Sequence, residues 1–163
     1  MTFSEGYLPE FDHEMTNTRA ILDCVPDDKF GWKPHAKSMS LGRLASHIAE
    51  LVAWGALVVN QDKLELGTGG QPADPTNKAG LIELLDNNVA ASREAIAGAS
   101  DEHIAQIWTM LYGGRTILAM PRMQVLRAVV LSHVIHHRGQ LSVYLRLLDV
   151  PIPGMYGPSA DGQ

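Results

Sequence analysis

Between Pro121 and Pro151 the chain carries one unbroken stripe. Leu126, Val130, His133, His137, Leu141, Tyr144 and Leu148 recur at steps of four, three, four, four, three and four. That is the period of a single helix face. Pro121 suits the first turn of such a helix, and Val150-Pro151 bars its continuation past about Asp149. At 1.5 Å per residue the helix is on the order of 40 Å long. A stripe of that length needs other long helices to cover it.

Three further segments supply them. Tyr7 to Cys24 places Phe11, Met15, Thr18 and Leu22 on one face, and Pro26 ends it. Ser40, a good N-cap residue, opens a second helix to about Asn60, with Leu44, His47, Leu51, Trp54 and Val58 in its stripe. A third runs from about Thr76 to Gly98 and shares Ile82, Leu85, Val89 and Ile96 on a face. The expected fold class is all-α, a four-helix bundle. One domain spans 1–163, and the Pro- and Gly-rich tail 151–163 is extended over the surface.

The connections differ in kind. The stretch QDKLELGTGGQPADP (61–75) is longer than neighbouring antiparallel helices need, which points to a crossover between the second and third helices. IWTMLYGGRTILAM has β-prone runs on both sides of Gly113-Gly114, so a small β-hairpin is expected between the third and fourth helices.

Charge narrows the function classes. Thirteen basic and 18 acidic residues leave a net charge of -5, and Arg122, Arg127, Arg138 and Arg146 are scattered rather than clustered. Nucleic-acid binding, which needs a basic patch, is disfavoured. Uninterrupted apolar runs fall short of the ~20 residues a membrane helix needs, and the N-terminus has neither a basic start nor an apolar run. A single cysteine, Cys24, excludes an internal disulfide framework and suits a reducing compartment. The expectation is a soluble, cytoplasmic protein.

Of the seven histidines, His13 and His103 lie among acidic residues and His35 follows a proline; all three read as solvated surface groups. His133 and His137 sit four apart on one helix face, so their rings can converge on one ion. Burying two imidazoles costs free energy unless they find partners. His47, in the stripe of another helix, supplies a third. Alone it would read as a core histidine bonded to a neighbour; together the three point to a shared divalent cation. His136 lies about 100° around the helix from His137 and is excluded as a ligand. Val134 stands where the zinc proteases of H-E-x-x-H type carry their glutamate base, so that reading fails. Gly139 reads as a helix-packing position. Trp54, on the His47 face, is either core filler or a pocket wall.

Two stretches resemble a known family. SHVIHHRGQLSVYLRLLDVPIPGMYG is similar to the last helix and tail of the DinB/YfiT-like proteins. VPDDKFGWKPHAKSMSLGRLASHIAEL resembles their Trp-x-Pro loop (Trp32, Pro34) leading into a histidine-bearing helix. The likeness covers about residues 25–157. It implies an up-down-down-up bundle and a metal site of three histidines, which fall on His47, His133 and His137. The family includes thiol-dependent S-transferases and a maleylpyruvate isomerase, and homodimers are common in it.

Three imidazoles leave a divalent ion, zinc or nickel, with an open position, as catalytic sites do. The expected function is therefore a metal-dependent transferase or hydrolase. In it a low-molecular-weight thiol or water attacks a small electrophile, and the protein is a homodimer with no nucleic-acid or membrane partner. The alternatives are a non-catalytic metal-binding or stress-response protein of the same fold and a metal-free dimeric interaction protein.

Overall fold

The computed structural model describes residues 1–69 and 72–162; Gly70 and Gln71 of the expected crossover, and Gln163 of the tail, lie outside them. Helix α1 spans Phe3–Leu22. It begins a turn earlier than the stripe from Tyr7 implied, because Thr2 and Glu5 form a capping box. Thr2 Oγ1 accepts from the Glu5 amide at 3.2 Å, and Glu5 Oε2 accepts from the Thr2 amide at 2.7 Å. Helix α2 (Leu41–Asn60) starts where expected, with Ser40 Oγ accepting from the Arg43 amide. Helix α3 spans Lys78–Gly98 and is capped by Asn77 rather than Thr76. A short helix α4 (Asp101–Ala105), capped by Ser100, follows it.

Strands β2 (Ile107–Tyr112) and β3 (Arg115–Pro121) form the expected hairpin. Gly113 and Gly114 both take positive φ, 58° and 73°, as a tight two-residue hairpin turn requires. The sheet has a third strand, however. Strand β1 (Lys63–Leu66), cut from the crossover, pairs parallel with β2 in the order β1-β2-β3. Four residues are too few to show alternation, and a parallel partner over 40 positions away leaves no local signal.

The last helical rod has three parts: α5 (Arg122–Val125), a π-helical stretch (Leu126–Leu131) and α6 (Ser132–Leu147). Its end is a Schellman motif. Val150 N donates to Leu145 O and Asp149 N to Arg146 O, with Asp149 left-handed at φ 57°.

Cross-helix bonds give the directions. Asn88 reaches Ala49 O and Ser92 reaches Val52 O, so α2 and α3 run parallel and the crossover between them is real. Asp12 binds Arg93 and Arg19 binds Asp86, so α1 and α3 are antiparallel. Tyr7 donates to Leu126 O and Glu14 pairs with Arg138, so α1 and the last rod are parallel. The bundle is up-down-down-up. Helix α2 is long and apolar enough to span a bilayer by composition, yet 61% of that stretch is buried inside the bundle.

Two of the scattered arginines are core residues. Arg122 is fully buried; its Nε donates to Val58 O at 2.9 Å and its Nη2 to Asp62 Oδ1 at 2.6 Å. It satisfies the last carbonyls of α2 and ties the sheet to them. Arg138 lies between α1 and α6, paired with buried Glu14, and Tyr156 of the tail bonds to both.

Candidate metal centre

His47 comes from the second turn of α2, and His133 and His137 from the first turns of α6. Their ring centroids are 5.5 Å (47–133), 4.8 Å (47–137) and 4.7 Å (133–137) apart. One ligand nitrogen from each lies within 4.8 Å of the other two. A cation with bonds of about 2.0–2.1 Å spans nitrogens up to about 4.2 Å apart, so a small side-chain turn closes the set.

The π-helical stretch sets where these rings sit. In it Ser132 N donates to Arg127 O, five residues back, which admits an extra residue into the turn. The fully buried positions beyond it are Val134, Leu141 and Leu145, one residue away from parts of the regular stripe, while Tyr144 and Leu148 are only half-buried. His133 and His47 are likewise half-buried, and only His137 is nearly enclosed. The histidines therefore stand at the edge of the core rather than in its middle.

The hydrogen bonds fix how the rings present themselves. Gln140 Oε1 can only accept, so His137 Nδ1, 2.7 Å away, carries the proton and Nε2 keeps its lone pair. His133 stands beside the Val129 carbonyl, which favours its protonated form. Its Nε2 lies 2.9 Å from His137 Nε2. The two ring nitrogens are close enough to share one proton, or one cation in its place. Burial, reinforced by His137, His133 and Arg43, pushes the His47 pKa down to about 4 against a weaker pull from Glu50. Burial also lowers His133, helped by His137 and His136. Both are neutral near pH 7, the form that coordinates metal. The donor set fits a divalent cation.

Residues beyond the three histidines complete the site. Glu50 Oε2 is 3.8 Å from His47 Nδ1 and is held by Arg43, which also donates to Ala73 O of the crossover at 3.0 Å. A cleft of ≈ 790 Å³ opens beside His47, walled in part by Trp54, Leu57 and Leu66. Glu50 and Gln140 each sit three residues after a histidine of the cluster, the one local signal that could have found them. Trp54 takes the pocket-wall role of its two readings.

The other histidines divide. His13, His35 and His136 are exposed, and His136 contributes no nitrogen to the cluster. His103 is not a free surface group: half-buried, its Nε2 lies 2.7 Å from Val59 O. Gly139 is exposed, with nothing within 4 Å of a built Cβ, so it packs against no helix of its own chain.

Known proteins share this fold. Residues 10–141 match the family model of the DinB superfamily. The uncharacterized protein YrdA of Bacillus subtilis (strain 168) is 24% identical over 157 residues, covering 96% of this chain and 90% of YrdA. The crystal structure of a DinB-like protein from Bacillus cereus ATCC 10987 superposes with a TM-score of 0.71 at 26% identity, over 93% of this chain and 97% of that one. That of the DinB-like protein YjoA from Bacillus subtilis gives 0.69 at 19% identity, over 89% and 94%, a likeness of fold. With the family model covering most of its length, a parallel α2–α3 crossover and a clustered histidine triad, this chain belongs to the DinB superfamily.

Proposed function

We propose that this protein is a divalent-metal-dependent transferase or hydrolase. His47, His133 and His137 hold one zinc or nickel ion, and an exogenous low-molecular-weight thiol, or water, attacks a small electrophile beside it. The observation that carries this reading is the convergence of three ligand nitrogens, from two helices, within 4.8 Å. A cation held by three neutral imidazoles keeps its double charge and an open position, which ionises a thiol or water near neutral pH.

The chain's own groups do the positioning. Gln140 keeps the His137 ring turned toward the shared point. Glu50 stands against His47 Nδ1 and Arg43 holds Glu50 in place. The nucleophile is external: Cys24, the sole cysteine, lines a different cleft, and its thiol, which donates to Ala20 O, has a pKa raised by burial.

Metal analysis of protein purified without an affinity tag tests the assignment. We expect about one zinc or nickel per chain, lost in His133→Ala and in His137→Ala. Metal content unchanged by both substitutions refutes it. Thiol consumption across a panel of electrophiles, stopped by chelation, is the expected sign of turnover. A melting temperature that drops on chelation with no thiol consumed favours the non-catalytic metal-binding reading instead.

We also propose that the protein is a cytoplasmic homodimer that acts on small molecules and not on nucleic acid or membranes. Support for the dimer comes from α6, whose outer face shows Val143 (58% exposed) and Leu147 (59%) in line with bare Gly139. Light scattering should give twice the 17.8 kDa chain mass.

A further inference from the structure

We infer that the cleft beside His47 receives an uncharged, largely apolar electrophile, with Trp54 in its wall. The cleft, ≈ 790 Å³, is of the size that small-molecule sites have. Leu51, Trp54, Leu57 and Leu66 give it an apolar wall, drawn from α2 and β1. Three side chains with charge or titratable nitrogen line it among the described residues: Arg43, Glu50 and His47.

The charges there are already spent on each other. Both Arg43 terminal nitrogens meet the Glu50 carboxylate, and Nη1 also donates to Ala73 O at 3.0 Å. The pair is partly buried, with side-chain exposures of 31% and 21%. An anionic substrate entering here must either break that pair or lie beside the Glu50 carboxylate. A cationic one meets the guanidinium. A neutral apolar body does neither and gains from covering Trp54 and the leucines. His47 is both a wall of this cleft and a member of the histidine cluster, so a body seated in the cleft has its reactive end at the cluster.

The inference rests on the proposed function for the location of the reacting end, yet binding in the cleft can be read without turnover. The test uses two unreactive arenes of the same shape, 2,4-dinitrotoluene and 2,4-dinitrobenzoate, with quenching of tryptophan fluorescence as the signal. It is run on the full chain as purified and again after chelator treatment. The neutral compound should bind at least tenfold more tightly than the carboxylate after chelator treatment, when no cation with an open position is there to take the carboxylate. Trp54→Phe should remove most of the quench while Trp32 and Trp108 remain. Leu57→Glu should weaken the neutral compound at least tenfold, with circular dichroism confirming that the helices are intact. Equal or tighter binding of the carboxylate to the chelated protein, or a quench undiminished in Trp54→Phe, overturns the inference. Absent thiol turnover with the neutral preference intact counts against the proposed function and leaves the cleft assignment standing.

Discussion

His47 reaches the cluster from a helix face that is otherwise apolar, and its burial decides its protonation. In the unfolded chain the group titrates at its ordinary 6.5; folded, it is held near 4. Between those values the unfolded chain binds the extra proton, so acid favours unfolding there. The metal-free protein should lose stability as pH falls from about 6.5 toward about 4, with His133 acting in the same direction. Urea midpoints across that range check this, and the slope should shrink in His47→Gln. A slope unaltered by the substitution would contradict the assignment. Asp149 offers a second residue-scale test. Its left-handed φ of 57° ends α6, a conformation glycine adopts freely. Asp149→Gly should gain up to about 1 kcal/mol. That corresponds to a melting temperature higher by roughly 2–4 °C.

The contact between α2 and α3 hangs on small side chains. A Cβ at Gly55 would lie 2.8 Å from Ser92 Cβ and Oγ, inside any real contact distance. Ser92 Oγ donates to Val52 O at 2.6 Å and accepts from Ala56 N at 3.0 Å, a polar bridge on a fully buried face. The close approach lets two parallel helices share that bridge. Gly55→Ala should force them apart and cost about 1–3 kcal/mol despite alanine's better helix propensity. Chemical denaturation reads the loss; a stabilised variant would show that the helices give way without strain. Helix α2 and the metal-site half of the last rod illustrate how much was legible beforehand. Ser40 and the positions of His47, His133 and His137 are local signals, whereas the apolar steps hold only in part, since Tyr144 and Leu148 are half-buried. Thr2 and Glu5 are a capping box in the sequence as well, and they start α1 a turn before its apolar stripe begins. The π-helical stretch carries no comparable mark, because LRAVVL reads as ordinary helix until the packing around it is known.

Across the whole molecule, one buried ion pair joins distant parts of the chain. Arg138 is 3% exposed and Glu14 is 6% exposed. Between them they hold α1, α6 and Tyr156 of the tail, with Thr18 Oγ1 accepting from Arg138 at 3.2 Å. Removing one partner leaves a charge buried without compensation. Arg138→Leu should cost about 3–5 kcal/mol, and the double variant with Glu14→Leu should recover much of it. Thermal melts of the two variants check this. The single variant should melt roughly 10 °C lower, or more. A double variant that melts no higher than the single would mean that Arg138→Leu does not leave Glu14 as an uncompensated buried charge. From sequence these arginines were indistinguishable from surface charge, since a buried pair 124 positions apart leaves no pattern in either segment.

The sequence by itself determined the helical class, four of the helices and the three histidines that meet, because helix period and capping are written in residues a turn or two apart. It could not place β1 beside β2, turn His133 to the edge of the core, set Glu50 and Arg43 against His47, or bury Arg122 and Arg138. Those follow from contacts between segments tens of positions apart, where the energy resides in packing and charge pairing that exist only once the bundle has closed.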